Sequence, residues 1–452
     1  MPITETLTTP APAKVHPHHT PLRRVTLAGL VAAAYFMVSG GPYGIEDVVA
    51  SAGYARTLII LVLVPLMWSL PTVLMVAELS SAMPVDGGYY VWVKRALGPF
   101  WGVQEVWLTL ASSVFDMAIY PTLFVAYLGR IAPNLTSGNR GFAVALAVVA
   151  AAVIWNLFGS KSVSTGSIGL GVLLLSPFAV LVGFAIHHHS VAPALHASAG
   201  ADLLGGILVA MWNFMGWDNA ANIGGEVKEA QRNYPRAMVI TAVLDIITYV
   251  VPIAAMWYAH IPATAWETGA WPDLARTVGG SALAVGIVAG GMIMGGGMFN
   301  SLTMSYTRLP FVLAEDGFLP GLFTKLNRFG TPWVSLLVCA VGWARALRIG
   351  FEHLVQIDIL LYGSALMLEF IAFAMLRLRE PEMERPYRAP GGKIAAMLLG
   401  IGPLVLLVFA LVHSESERIA GMPALAFGLI LIAAGFALYP LLALHRARAY
   451  RG

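Results

Sequence analysis

Apolar runs of roughly 20 residues follow one another along the chain, separated by short polar segments. A run of that length matches the hydrocarbon core of a bilayer crossed by an α-helix, whereas a barrel strand would alternate over about ten residues. About twelve spans can be read, near residues 25–52, 56–81, 100–129, 141–158, 163–186, 203–226, 237–259, 281–304, 332–349, 354–376, 394–413 and 422–444. The pattern predicts an all-α membrane protein.

Two of these spans break their own pattern. The first carries "MVSGGPYGIEDVV", Met37 to Val49, with Gly40-Gly41-Pro42 and then Glu46-Asp47 in its middle. Gly and Pro interrupt a helix, and carboxylates in hydrocarbon are costly, so both features together point to function. The sixth carries "MWNFMGWDNAANIGGE", Met211 to Glu226, with small residues, amides and Asp218 midway along it. Gly41 and Gly216 are 175 residues apart, five spans on. Interrupted helices in corresponding positions of two halves are the pointer to an inverted-repeat secondary transporter, whose binding site is formed near the midplane by half-helix ends and freed backbone groups. The competing reading is that Gly, Pro and Asn simply kink packed helices, as is common in membrane bundles. The pattern predicts that Gly40–Tyr43 and Phe214–Asn219 are non-helical and face each other.

Composition agrees with a bilayer-embedded chain: 58% hydrophobic and 11% charged residues, with a mean hydropathy of +0.75, leave too few charges to cover a soluble globule of this size. With the N-terminus in the cytoplasm, 20 of the 27 Lys and Arg residues fall on that side. The positive-inside rule therefore predicts a multi-pass plasma-membrane protein with both termini cytoplasmic. The net charge of +3 is an orientation signal, with no basic patch suggesting nucleic acid. Loops reach only roughly 20 residues, so no soluble domain is inserted. The expected organisation is a disordered tail over 1–22, without a signal-peptide pattern, and a single transporter domain over 23–452. Cys339 is the single cysteine, which excludes an intrachain disulfide and a thiolate metal cluster; it reads as a small buried residue. Arg345 and Arg348, closing the ninth span, are expected to snorkel to the outer interface.

Six pieces in order resemble the amino acid–polyamine–organocation superfamily, most closely its plant-type polyamine uptake branch. They are "VSGGPYGIED", "PVDGGYYVWVKRALGPFWG" (84–102), "FDMAIYPTLFVAYL" (115–128), "WDNAANIGGEV", "AEDGFLP" (314–320) and "LEFIAFAMLRLREPEMERPYRAP" (368–390). The resemblance implies a five-plus-five inverted repeat, here 23–187 and 203–380, plus two additional helices over 393–446. It also implies alternating access and uptake of amino-group-bearing solutes driven by protons or sodium.

Amino acid permeases of the superfamily usually place Gly-Ser-Gly, then Ile and Phe, at the first break, where exposed amides hold a carboxylate. This chain has Pro42-Tyr43-Gly44-Ile45-Glu46 there. Pro42 removes an N–H, Tyr43 fills space and Glu46 adds negative charge, which disfavours a carboxylate-bearing ligand and favours a bare ammonium. The arginine/agmatine antiporters place an aromatic gate six residues before an acid, and Trp212 and Asp218 resemble that pair. Cation–π contact with Trp212 is worth about 0.5–2 kcal/mol. The expected substrate-binding residues are Gly40, Gly41, Tyr43, Glu46, Asp116, Tyr120, Trp212, Asn213, Phe214, Gly216 and Asp218, with Asp218 the main anchor, Glu46 a second negative group and Trp212 the lid. Asp116 and Tyr120 lie one helical turn apart and share a face.

A charge census points the same way. Glu46, Asp47, Asp116, Asp218, Asp245, Glu369, Glu78 and Asp358 fall in spans that hold hardly a basic residue away from their ends. Unpaired acids in low dielectric hold protons or await a cation. Asp245, Glu78 and Glu369 read equally well as structural carboxyls. No cofactor is expected, and a proton is preferred to sodium as the coupling ion. The lysine found deep in the fifth span of proton-coupled relatives is absent, Leu174 standing near its place; Ser301, Thr303 and Ser305 offer hydroxyls for sodium but read as packing groups.

The expected function is import of cationic amines or amino acids, with the bilayer and a small-molecule substrate as partners. The alternatives are an amino acid exchanger and a channel lined by broken helices. An enzyme is not expected: His16, His18, His19 and His187–His189 lie in a tail and at a span end, no H-E-x-x-H occurs, and no Walker motif suggests ATP drive.

Overall fold

The computed structural model describes residues 24–187, 203–348, 351–413, 418–419 and 422–449. The tail over 1–22 and the histidines at 16, 18, 19, 188 and 189 lie outside the described residues.

The helices follow the predicted spans. Thr26 caps α1 (Leu27–Val38) by accepting the Gly29 N–H at 3.2 Å. After a break come α2 (Glu46–Met67), parted near Gly53 by a left-handed φ of 71°, and α3 (Ser69–Ala82). The first predicted span is therefore α1, the break and the start of α2. A short α4 (Gly88–Leu97) leads into α5 (Pro99–Gly129), which starts with Pro99 where no intrahelical N–H is needed. Then come α6 (Asn139–Asn156), α7 (Ser160–His187), α8 (Leu203–Asn213), α9 (Ala230–Tyr258) and α10 (Trp271–Tyr306). The remainder is α11 (Arg308–Glu315), α12 (Trp333–Ala346), α13 (Phe351–Arg379), α14 (Gly392–Leu398), α15 (Ile401–His413) and α16 (Ala424–Ala449). Among the described residues, nine helical segments are long and apolar enough to cross a membrane, and α1 and α12 are shorter apolar helices. Arg418–Ile419 and Met422–Pro423 pair as two short antiparallel strands.

Large apolar side chains such as Leu63, Val172, Val243, Val341 and Leu441 are exposed around the outside, while Glu46, Asp116, Asp218, Asp245 and Asp358 are buried. This is the distribution expected when lipid is the solvent. The glycine-rich α10 packs against α1, α5, α6 and α7. A Cβ at Gly295 would stand 2.5 Å from the Tyr120 carbonyl, and one at Gly297 2.5 Å from the Phe36 ring, so small residues let these helices meet closely.

Both predicted interruptions are present, with one correction. Ser39 to Ile45 leave the helix, Gly41 taking a left-handed φ of 84°. Of the expected stretch Phe214–Asn219 only Phe214–Gly216 are irregular; Trp217–Asn222 and Gly224–Glu226 wind as 3₁₀ turns. Gly216, at φ 95°, opens the 3₁₀ turn three residues after α8 ends, and the Asn219 N–H bonds back to the Gly216 carbonyl at 3.2 Å. Any Cβ at Gly216 would lie 2.4 Å from the Met37 carbonyl of α1, so the two breaks touch.

Candidate functional site

A small cavity lies where the breaks meet. It holds about 30 Å³, room for a water and far too little for an alkyl diamine. Met37, Val38, Gly40, Tyr43 and Gly44 reach it from the first break, and Trp212, Asn213, Met215, Gly216 and Asn219 from the second. Asp116, Tyr120 and Leu123 come from α5, Met294, Met298 and Tyr306 from α10, and Asp358 and Tyr362 from α13. Among the described residues, two acids and no Lys, Arg or His line it.

The acids are held in place by hydroxyls and an indole. Tyr120 donates to Asp116 Oδ1 at 2.5 Å and Tyr306 to Asp116 Oδ2 at 3.2 Å. Asp358 accepts from the Ser112 hydroxyl and from the side chain of Trp212. All of these donors are neutral, so they orient the two carboxyl groups without bringing a positive charge beside them.

Two glycine amides at the breaks are already engaged. The Gly41 N–H donates to Ser39 Oγ at 3.2 Å, and the Gly216 N–H to the Tyr362 hydroxyl at 2.9 Å. Tyr43 is pinned across the first break by its hydroxyl, which donates to the Ile287 carbonyl at 2.5 Å. Its ring packs edge-on against Tyr127 and Phe178. Asn213 bridges the breaks, its Nδ2 donating to the Gly44 carbonyl at 3.2 Å.

Of the residues singled out from the sequence, Gly40, Tyr43, Asp116, Tyr120, Trp212, Asn213 and Gly216 line the cavity, and four do not. Gly41 shapes the break, and a Cβ there would face Leu174. Phe214 packs beneath on Tyr249, ring centroids 5.1 Å apart. Glu46 sits at the start of α2 in a neighbouring cavity of about 180 Å³, with Asp47, Tyr127 and Arg130. Gly44, Leu123, Trp212 and Met294 wall both spaces, so Trp212 stands between them as a lid would.

Asp218 lies behind the wall. It accepts a bond from the Tyr362 hydroxyl and faces Glu369 of α13, so Tyr362 separates it from the cavity. Asp218, expected to be the main anchor, therefore does not line the cavity; Asp116 and Asp358 are the acids that reach it. Asp358 stands out in the sequence only as one of the acids within spans, and Tyr306, Tyr362, Met294 and Met298 not at all. One signal was available. Asp116-x-x-x-Tyr120 and Asp358-x-x-x-Tyr362 repeat the same one-turn spacing on two helices that pack together.

Glu78 is structural. Arg377 donates to Glu78 Oε1 at 2.5 Å and also to Oε2, and the Ala389 N–H reaches Oε2 at 2.8 Å. The Ser305 hydroxyl, on the hydroxyl-bearing end of α10, is spent on the Asn219 carbonyl at 2.8 Å, and Ser167 and Ser301 pair at 3.3 Å. Among the described residues no cluster of metal-ligating side chains occurs.

A larger cavity of about 550 Å³ opens toward the end of the molecule where α1 begins, and shares no lining residue with the central one. Its wall includes Arg24, Asp86, Lys161, Glu226, Arg308 and Asp316. Arg308 donates to Glu226 Oε1 at 2.8 Å, and Asn222 donates to Tyr89 and Ser305 at 2.8 and 2.9 Å. These bonds brace the 3₁₀ segment between the cavities. The loop carboxyl Asp86 accepts from the Gly225 N–H at 3.0 Å; burial, then the negative charge of Glu226, push it up to about 8 despite nearby Arg308.

Sequence comparison places this geometry among transporters. A probable polyamine transporter of Arabidopsis thaliana is 33% identical over 93% of this chain and 84% of its own length. The polyamine transporter PUT1 of Oryza sativa subsp. japonica is 33% identical over 90% and 78%. The serine/threonine exchanger SteT of Bacillus subtilis (strain 168) is 25% identical over 70% and 74%. Residues 30–435 match the profile of the amino acid permease family, and with broken helices enclosing a polar centre, the chain belongs to that family.

Proposed function

We propose that this protein is a secondary transporter that imports cationic amines of the polyamine class, coupled to protons, by alternating access. The carrying observation is that Asp116 and Asp358 face one cavity whose wall, among the described residues, holds no cationic side chain. Ammonium groups held by charge-assisted hydrogen bonds would neutralise both acids. The engaged amides of Gly41 and Gly216 leave little for a substrate carboxylate, and the names of the plant relatives support the same substrate class.

In this reading 23–187 and 203–380 are the two inverted repeats, 393–446 adds two helices, and both termini face the cytoplasm of a plasma-membrane protein. The 550 Å³ cavity is then the cytoplasmic vestibule and the space beside Glu46 and Asp47 the outer one. The small central volume corresponds to a closed state that widens when substrate enters, Trp212 swinging from between the two spaces.

A second reading, amino acid exchange, is favoured by the similarity to SteT. Counterflow into reconstituted vesicles separates the two. Vesicles preloaded with unlabelled putrescine should take up labelled putrescine, and external spermidine should compete while serine and alanine do not. Competition by serine with none by spermidine would refute the amine reading.

A further inference from the structure

Asp245 of α9 is fully buried, and among the described residues neither of its carboxyl oxygens has a hydrogen-bond partner. It belongs neither to the cavity wall nor to an ion pair among the described residues. The groups beside it are Ser39 at the end of α1, Tyr35 of α1 and Tyr249 of its own helix. α9 packs against α1, α2, α3 and α7, and no charged side chain on any of them acts on Asp245. An ionised carboxylate cannot be kept in such a place without a cation or several donors, so Asp245 carries its proton in this conformation.

Its neighbour Ser39 is the first residue of the break in α1. The Ser39 hydroxyl donates to the Tyr249 oxygen at 3.0 Å, and Tyr249 in turn donates to the Asn213 carbonyl at 3.1 Å. Ser39 Oγ also accepts the Gly41 N–H at 3.2 Å. One chain of hydroxyls thus ties the end of α1 to the end of α8. A hydroxyl has a single proton to give and two lone pairs to receive with. While Asp245 is protonated, its O–H can donate to the remaining lone pair of Ser39, and the chain to Asn213 stays intact. Once Asp245 loses its proton, it needs a donor, and the Ser39 hydroxyl is the one at hand. Ser39 then turns away from Tyr249, and the tie between the two broken helices is released.

Resting on the proton-coupled reading above, we infer that Asp245 is the proton-binding site of the transport cycle and that Ser39 and Tyr249 transmit its charge state to the two helix breaks. Water or hydronium on the proton-rich side supplies the proton to the carboxylate, and the same proton leaves to water on the other side. The balance involves no other species.

The test is uptake of labelled putrescine into proteoliposomes, with and without an inward proton gradient of one pH unit, which can drive about a tenfold accumulation per coupled proton. Asp245→Asn keeps the size and supplies a neutral donor to Ser39, so it imitates the protonated form. Counterflow in the absence of a gradient should persist within about twofold of wild type, while the response to the gradient disappears. Asp245→Glu should restore part of the response. Tyr249→Phe removes the oxygen that receives the Ser39 proton and should also blunt the response, so the inference can still be refuted if Asp245→Asn fails to fold. If wild type responds to the gradient and both variants respond equally well with unchanged pH profiles, Asp245 is merely structural and the inference is overturned. If wild type itself ignores the gradient, the proton-coupled reading falls first.

Discussion

Asp116→Asn and Asp358→Asn test the pair of acids that the fold brings to one cavity. Each loses a charge while keeping its size, and Asn retains one acceptor for Tyr120 or Tyr306 at position 116 and for Ser112 or Trp212 at position 358. The protein should therefore remain folded. A charge-assisted hydrogen bond is worth roughly 1.5–3 kcal/mol, so each substitution should weaken putrescine binding by about 10- to 100-fold, since each 1.4 kcal/mol is about tenfold. A diamine presents two ammonium groups and butylamine one. If the two acids hold one end each, both substitutions weaken putrescine, while butylamine loses its whole ionic contribution to only one of them. Calorimetric titration of the purified protein with putrescine, butylamine and alanine, alongside melting temperatures, reads these outcomes. The reasoning is refuted if both variants stay folded and bind putrescine as tightly as wild type. Asp218→Asn serves as the contrast: behind Tyr362, it should cost putrescine less than either.

Other outcomes follow from the same geometry. Trp212→Ala removes the ring that walls both cavities and, in the proposed reading, a cation–π surface of about 0.5–2 kcal/mol, so putrescine affinity by titration should fall about 2- to 30-fold. Gly216→Ala forces a Cβ to 2.4 Å from the Met37 carbonyl at a left-handed φ, and should lower the melting temperature and abolish counterflow. Glu78→Gln leaves Arg377 buried beside a neutral group; breaking such a pair costs about 3–5 kcal/mol, read as a large loss of thermal stability. Asp86 titrates near 8 when folded and near 3.8 unfolded. Its neutral form is the one the fold favours, so its contribution is present in full below about 4 and is lost as pH rises through about 8. Asp86→Asn should flatten the fall in melting temperature over that window.

What the chain revealed in one dimension were features with local causes. Gly41 and Gly216 hold positive-φ backbone inside the two breaks, a conformation that glycine adopts without strain, so both interruptions were legible. Asp116 and Tyr120 share a face because they lie one turn apart on a continuous helix. The placement of Asp218 was not legible, because its direction depends on a 3₁₀ turn after Gly216 and on Tyr362 arriving from α13, 144 residues away. Asp358 had no local mark beyond its spacing from Tyr362, and only the packing of α13 against α5 puts it opposite Asp116. Glu78 looked unpaired because Arg377 lies 299 residues further on. Arg348 rests over the Phe142 ring, 4.9 Å from its centroid, giving its expected place at a helix end a specific neighbour.

Concentrative uptake by the purified protein tests the central claim most directly. Vesicles with the outside acidified by one pH unit should accumulate labelled putrescine above the external concentration, and a protonophore should return it to equilibrium. Accumulation of serine without putrescine, or saturable putrescine exchange that ignores the proton gradient, would contradict a proton-driven amine importer.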